Sequence, residues 1–115
     1  MTDKPAGIAG HGEREPQFLY VCISNQVEPA PKIAIAPDAL HAEHVNFLQD
    51  LFDRGLLFGS GPQVEETGTR HGGAVYVLQG VTLDEAKTIT AQEPNIREGQ
   101  RDVSIHPWRR MWFGG

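Results

Sequence analysis

A chain of 115 residues has the size of one domain, which can bury roughly two-thirds of the surface that its unfolded form exposes. Fifteen Asp and Glu outnumber ten Lys and Arg, and the formal charge of −5 disfavours wide contact with nucleic-acid phosphates or an anionic membrane. The single cysteine excludes an internal disulfide and a cysteine-based zinc site, and no apolar run approaches the roughly 18 residues of a membrane span. With no signal-peptide core at the N-terminus, these features predict a cytoplasmic protein whose partner is a small molecule.

The N-terminal residues 1–17 combine three glycines, two prolines and five charged side chains without hydrophobic periodicity. This composition predicts a mobile arm, followed by a single domain over residues 18–115. The domain opens with the strand FLYVCIS, in which Phe18, Tyr20 and Cys22 share one face and the alternate residues share the other. Because both faces are apolar, both are expected to be covered.

An amphipathic helix is predicted between Asp38, as its N-cap, and Gly55, whose left-handed conformation would end it. At about 100° per residue, His44 lies near the middle of an apolar arc. The apolar members of this arc are Leu40, Val45, Phe47, Leu48, Leu51 and Phe52. A second strand is expected to begin at Leu56, and the Gly-Ser-Gly-Pro segment at 59–62 predicts a tight turn that distorts or ends it.

The next segment of the chain predicts a hairpin or polar loop over residues 63–72 and a third strand over residues 74–79. Thr82 and Glu85 have the spacing of a capping box, in which each side chain bonds the other residue's backbone N–H. A second helix is therefore expected to start there. Pro94 prevents this helix from continuing much further.

A fourth strand over residues 101–105 completes the order β-α-β-β-α-β, which is typical of a ferredoxin-like α+β fold. Two helices can cover only one face of its four-stranded antiparallel sheet, and the open face carries too much apolar surface to remain in water. We therefore predict a homodimer that brings the two open faces together around a cavity. The tail WRRMWF, residues 108–113, is expected to cover a sheet edge or the neighbouring subunit rather than to bind single-stranded nucleic acid.

Several short motifs in this chain keep a particular spacing. They are His44-x3-Leu48, Gly55-x-Leu57, Gly61-Pro62, Glu85-Ala86, Glu93-Pro94, Gly99 and Pro107-Trp108. Over roughly residues 18–109, this set resembles the YCII-related family of small bacterial proteins. The resemblance implies a ferredoxin-like dimer and proton-transfer chemistry by a histidine and an acidic residue, which is seen in dechlorination of a chlorinated hydroxyquinol. It places the histidine at His44.

The acidic residue departs from the family pattern. The family acid is usually the Asp of an Asp-Pro pair after the second helix, and this chain has Glu93 at that position. Glu can orient an imidazole as Asp does, but its extra methylene changes its reach. The resemblance therefore implies a pair of His44 with Glu93, while Asp38, Asp53 and Asp102 remain alternative partners.

Histidine suits proton transfer because an ordinary imidazole titrates near pH 6.5, and a carboxylate partner fixes its tautomer. The plain alternative for His44 is a core histidine whose ring bonds a backbone carbonyl. His41 and His44 lie at helical spacing and could share a metal, but no third ligand follows at that spacing, so we expect no metal site.

Further candidates for substrate binding come from three parts of the chain. Glycines around a serine let the backbone approach a ligand closely, the polar loop before the third strand can reach a cavity mouth, and strand tyrosines can place hydroxyls there. These candidates are Ser60, Gly61, Arg70, His71, Tyr20 and Tyr76. Each also has a plain structural explanation as part of a turn, a solvated loop or a packed strand.

The leading hypothesis is a small cofactor-independent enzyme, either a lyase such as a dehydrochlorinase or an isomerase. His44 would take a proton from a cyclic or aromatic hydroxylated compound while Glu93 orients the imidazole. The rival hypothesis is a non-catalytic module that binds a small molecule or serves in assembly. Nucleotide-loop and serine-nucleophile motifs do not occur in the sequence.

Overall fold

The computed structural model describes the backbone of residues 12–114 and the side chains of residues 17–114 other than that of His71. The elements in chain order are β1 (Gly12–Gln26), α1 (Pro37–Asp53), β2 (Leu57–Val64), β3 (Arg70–Gln79), α2 (Leu83–Gln92), α3 (Pro94–Arg97) and β4 (Arg101–Phe113). The strands form one antiparallel sheet in the order β2-β3-β1-β4. The predicted ferredoxin-like β-α-β-β-α-β arrangement is therefore confirmed, with the single turn of α3 added after α2. No helix in this part of the chain is long and apolar enough to cross a membrane.

The strands β1 and β4 are longer than predicted. β1 begins at Gly12 rather than at Phe18, and β4 ends at Phe113 rather than at Ile105. The two extensions pair with each other, so that Gly12 lies opposite Phe113. Each extension supplies the backbone partners of the other, although the two are far apart in the sequence. The remainder of the predicted arm, residues 1–11, lies outside the described residues.

The segment 59–62 lies within β2, so the prediction of a tight Gly-Ser-Gly-Pro turn is wrong. β2 is an edge strand that pairs with β3 alone, and an edge tolerates proline because its missing N–H need not face a partner. The pairing register shifts between Leu57 and Gly59 and again between Pro62 and Val64. These two irregularities accommodate the glycines and the proline without ending the strand.

The helix termini follow local rules with one exception. α1 begins at Pro37 without a side-chain cap, so the prediction that Asp38 caps the helix is wrong. Proline suits the first helical position because its missing N–H would have no helical partner there. Gly55 has φ +73° just beyond the helix, as predicted. The capping box of α2 is present: Thr82 Oγ1 accepts the Glu85 N–H, and the Glu85 carboxylate accepts the Thr82 N–H.

The core lies between the two longer helices and one face of the sheet. Its buried members are Cys22, Tyr76 and Leu78 from the strands, Leu51 from α1, and Ala86 and Ile89 from α2. Tyr20 packs against this cluster, so by alternation Val21 and Ile23 lie on the open face. The apolar arc of α1 is only partly buried, because Val45 is 47% exposed and Phe52 is 66% exposed.

Candidate active site

A cavity of about 670 Å³ lies between α1, the sheet and the junction of α2 with α3. Its volume is within the range of sites that bind small molecules. The lining includes His44 from α1, Ser60 from β2, Arg70 and Tyr76 from β3, Glu93 from the helix junction and Arg101 from β4. Residues from most elements of the fold therefore line one partly open cavity.

His44 and Glu93 form a direct hydrogen bond in this cavity. The His44 Nδ1 atom lies 2.7 Å from Oε1 of Glu93, and the two side chains are 29% and 3% exposed, respectively. Among the described residues no hydrogen bond joins the His44 ring to another residue of α1, so its partner comes from outside the helix. The predicted contact between the two residues is present, while their catalytic roles remain a prediction.

Glu93 is held in place by the backbone of α3. It is the residue between α2 and α3, and its Oε2 accepts the backbone N–H of Ile96 at 3.2 Å. This bond caps α3, which begins with Pro94 at its first position. The amide of Asn95 donates a further hydrogen bond to Oε1 at 3.2 Å. The carboxylate is thus oriented from two sides before His44 contributes its own bond.

The charge of Glu93 determines which tautomer His44 adopts. Burial acts to raise the pKa of this carboxyl, but hydrogen bonds from His44 and Asn95 favour the charged form and bring the pKa of Glu93 below its ordinary value. An ionised carboxylate only accepts hydrogen bonds, so Nδ1 of His44 carries the proton and donates it. The basic lone pair is then on Nε2, which has no hydrogen-bond partner among the described residues.

Tyr76 contributes a buried hydroxyl to the same cavity. The residue is 4% exposed, and its hydroxyl oxygen has no hydrogen-bond partner within the described part of the chain. Burial raises the pKa of the Tyr76 phenol, and the negative charge of Glu93 raises it further, so the hydroxyl keeps its proton. Buried polar groups are normally hydrogen-bonded, so a Tyr76 hydroxyl without a partner among the described residues is unusual.

The structure places some of the other predicted binding residues in the cavity and others elsewhere. Ser60, Gly61 and Arg70 line the cavity together with His44. Tyr20 instead packs against the hydrophobic core and is not part of the lining. His71 belongs to β3, but its side chain lies outside the described part of the structure.

The alternative partners of His44 do not contact it. No hydrogen bond joins Asp38, Asp53 or Asp102 to His44 in the described structure, and Asp53 accepts a bond from Gln49. The rings of His41 and His44 are 6.2 Å apart between centroids. Among the described residues, no three His, Cys, Asp or Glu side chains are grouped so that they could hold a metal ion.

Several polar residues of the lining, Ser24 and Arg101 among them, were not predicted from the sequence. The guanidinium of Arg101 donates from Nε to Oγ of Ser24 at 2.8 Å, and Ser24 is 3% exposed. Ser24 lies on the same face of β1 as Tyr20 and Cys22, which faces the core. A polar residue on that face is the one feature of the sequence that could have indicated Ser24 as part of the site. Nothing local in the sequence indicates that Arg101 would reach it from β4.

Comparisons with known proteins agree with this architecture. The family model of the YCII-related domain matches residues 18–109. A solved structure of 5-chloro-2-hydroxyhydroquinone dehydrochlorinase from Burkholderia phenoliruptrix AC1100, in complex with 2,5-dihydroxybenzoquinone, is similar with a TM-score of 0.57. The two proteins are 18% identical, and the similarity covers 78% of this chain and 92% of that chain, which shows a shared fold. No curated protein matches the chain. Because the family model spans most of its length, the chain belongs to the YCII-related family.

Proposed function

We propose that this protein is an enzyme that transfers protons on a cyclic or aromatic hydroxylated small molecule, with His44 as the general base. The observation that carries the proposal is the 2.7 Å hydrogen bond from His44 to the buried Glu93 at the wall of a cavity. A base needs a free lone pair next to the substrate and a group that stabilises the protonated form. The Nε2 atom of His44 supplies the first, and the Glu93 carboxylate supplies the second.

The proposed reaction begins when Nε2 takes the proton of a ring hydroxyl. The electron pair that remains on the oxygen moves into the ring, and the imidazolium is stabilised beside the carboxylate of Glu93. Return of the proton to a ring carbon shifts a double bond, which is an isomerisation. If that carbon carries chlorine, loss of chloride and a second proton then completes a net elimination of HCl. Both paths use a single acid–base group for the proton transfers, and in the second path the C–Cl bond breaks with its electron pair leaving on chloride.

Hydroxyl groups in the lining support a hydroxylated ligand. The Tyr76 hydroxyl is buried, keeps its proton and lacks a partner among the described residues. Ser60 lies opposite Tyr76 in the pairing of β2 with β3 and also lines the cavity. A ring oxygen could accept from either hydroxyl while another ring position faces His44.

The structural neighbour suggests which compounds to test first. That protein is a dehydrochlorinase of 5-chloro-2-hydroxyhydroquinone. We therefore propose chlorinated hydroxyhydroquinones as the first substrate class for this chain, with chloride release as the readout. Unchlorinated hydroxyquinols tested beside them would distinguish elimination from isomerisation.

The decisive variants are His44→Gln and His44→Ala. Both should lower turnover by about two orders of magnitude or more, with circular dichroism unchanged, because the base is lost while the fold remains. His106→Gln is the matched control, since His106 is an exposed histidine of β4 that bonds Ser104 Oγ at 2.9 Å and does not line the cavity, and it should keep turnover within a few-fold. Normal turnover in both His44 variants would overturn the proposal.

The rival hypothesis of a non-catalytic binding module can be tested by NMR on the wild-type protein in solution. NMR titration of the His44 imidazole, with and without candidate phenols and quinones, reports whether ligand and base interact. A ligand that binds without moving the His44 titration and without being converted would favour the binding module.

A further inference from the structure

Arg101 presents unused hydrogen-bond donors in the cavity. Its Nε donates to Ser24 Oγ at 2.8 Å, and its Nη2 donates to the carbonyl oxygens of Ser24 at 3.1 Å and Gly72 at 2.7 Å. The N–H groups of Nη1 have no partner among the described residues. The three bonds hold the guanidinium plane in a fixed orientation, so the remaining donors are positioned before any ligand arrives.

The positive charge of Arg101 is not neutralised by the protein. Its acceptors are a hydroxyl and two carbonyls, and no carboxylate forms an ion pair with it in the described part of the chain. A guanidinium cannot lose its proton in a protein, and a partly buried charge is normally paired. Glu93 is the only acid among the described lining residues, and it is already bonded to His44.

The cavity also differs in charge from the rest of the molecule. The chain carries a formal charge of −5, whereas the lining contains Arg70 and Arg101 against Glu93 alone. The positive groups outnumber the negative one in the lining, and an excess of one sign of charge attracts ligands of the opposite sign. An acidic protein that keeps an unpaired arginine in its cavity is therefore suited to an anionic ligand.

We propose that Arg101 binds an oxyanion of the substrate, either a carboxylate or an ionised enol or phenol, through its Nη1 side. This inference rests on the proposed function for the cavity and adds the class of substrate, a cyclic or aromatic compound that is anionic at neutral pH. Arg101 is then a specificity residue that holds one end of the ring while His44 acts on another position. The Gly72 carbonyl that helps to fix it belongs to a residue with φ +94°, a conformation that glycine adopts without strain.

The test compares two probes of nearly equal shape, 4-hydroxybenzoate and 4-hydroxybenzamide, by titration calorimetry of the full chain at pH 7. The wild-type protein should bind the carboxylate roughly ten- to hundredfold more tightly than the amide, as expected for hydrogen bonds between charged groups. Arg101→Gln should abolish this preference while the amide affinity stays within about twofold, and Arg101→Lys should retain part of it. Arg54→Gln, at a surface arginine that pairs with Asp50, is the matched control and should keep the full preference.

Absence of a charge preference in the wild-type protein, or its persistence in a folded Arg101→Gln variant, would overturn the inference. If that variant fails to fold, guanidinium NMR of the wild-type protein decides: the Arg101 signals should move with the carboxylate probe and not with the amide, and unchanged signals would overturn it. His44→Gln separates the two proposals, since it should lose turnover and keep the charge preference. Unchanged turnover in that variant refutes the catalytic role alone.

Discussion

Replacing Glu93 with glutamine tests the pair at the centre of the site. The substitution keeps the size of the side chain but removes its charge and one of its two acceptor oxygens. In the native protein the carboxylate accepts bonds from His44, Asn95 and Ile96. The amide oxygen cannot serve both the helix cap and the imidazole, so at least one donor loses its acceptor.

The size of the effect follows from these contacts. A hydrogen bond to a charged group contributes about 1.5–3 kcal/mol, and the lower half of this range applies here because the His44 side chain is 29% exposed. We expect Glu93→Gln to lower the free energy of unfolding by about 2 kcal/mol at pH 7. Glu93→Ala, which also removes the cap of α3, should lower it by about 3 kcal/mol.

The pH dependence of this loss has a defined sign. The folded-state pKa of Glu93 is below its ordinary value, so its stabilising effect is fully present above the unfolded pKa of about 4.3 and is lost as the pH falls through the folded value. Urea denaturation followed by circular dichroism at pH 7, 5 and 3 measures it. The difference between wild type and Glu93→Gln should persist at pH 7 and pH 5 and shrink at pH 3.

Glu43→Gln is the matched control, because Glu43 is an exposed glutamate that pairs with Arg97 of the same α3 segment at 3.4 Å. An exposed pair contributes little, so this variant should change the free energy of unfolding by about 0.5 kcal/mol or less. Equal losses in the two variants, or a Glu93→Gln loss that does not vary with pH, would refute the assignment of a buried ionised carboxylate.

Three further predictions concern the core, the open face of the sheet and the C-terminal part of β4. Burial raises the pKa of the Cys22 thiol to about 12, so a thiol reagent should modify it only after unfolding, and rapid modification of the native protein would contradict its buried position. Because Val21 and Ile23 lie on a face that no helix of the described chain covers, we expect a dimer in analytical ultracentrifugation at micromolar concentration, and a monomeric mass would count against it. Deleting residues 108–115 removes most of the β4 extension, including Trp108, which is 45% exposed. This deletion should lower the melting temperature or dissociate the dimer.

The parts of the fold that local rules determine could be predicted from the sequence. The capping box at Thr82 and the left-handed Gly55 depend on neighbouring residues alone, and both are present. The strand from Gly12 and the strand to Phe113 depend on each other, and neither has a hydrophobic alternation that indicates its full length. The prediction for segment 59–62 was wrong for a related reason. Its glycines and proline are typical of a turn, and they are tolerated in a strand here because β2 lies at the edge of the sheet.

The residues of the candidate site also fall into those that the sequence indicates locally and those that only tertiary structure brings together. His44 was found because a histidine in an apolar arc needs a polar partner, and the resemblance to the family pointed to Glu93 as that partner. Arg101 was missed because its significance depends on Ser24 and Gly72, which reach it from other strands. The side chains around a cavity are assembled by tertiary pairing, which a single sequence does not display.

The choice of Glu at position 93, where the resemblance implies an Asp, has a structural explanation. Asp is preferred over Glu at the start of a helix because its shorter side chain reaches the backbone N–H groups of the first turn. In this protein one carboxylate oxygen caps α3 at Ile96, and the other reaches across to Nδ1 of His44 on α1. The longer side chain thus makes a less favoured cap in exchange for spanning two helices. The departure at this position is therefore consistent with retaining the histidine contact on which the proposed chemistry depends.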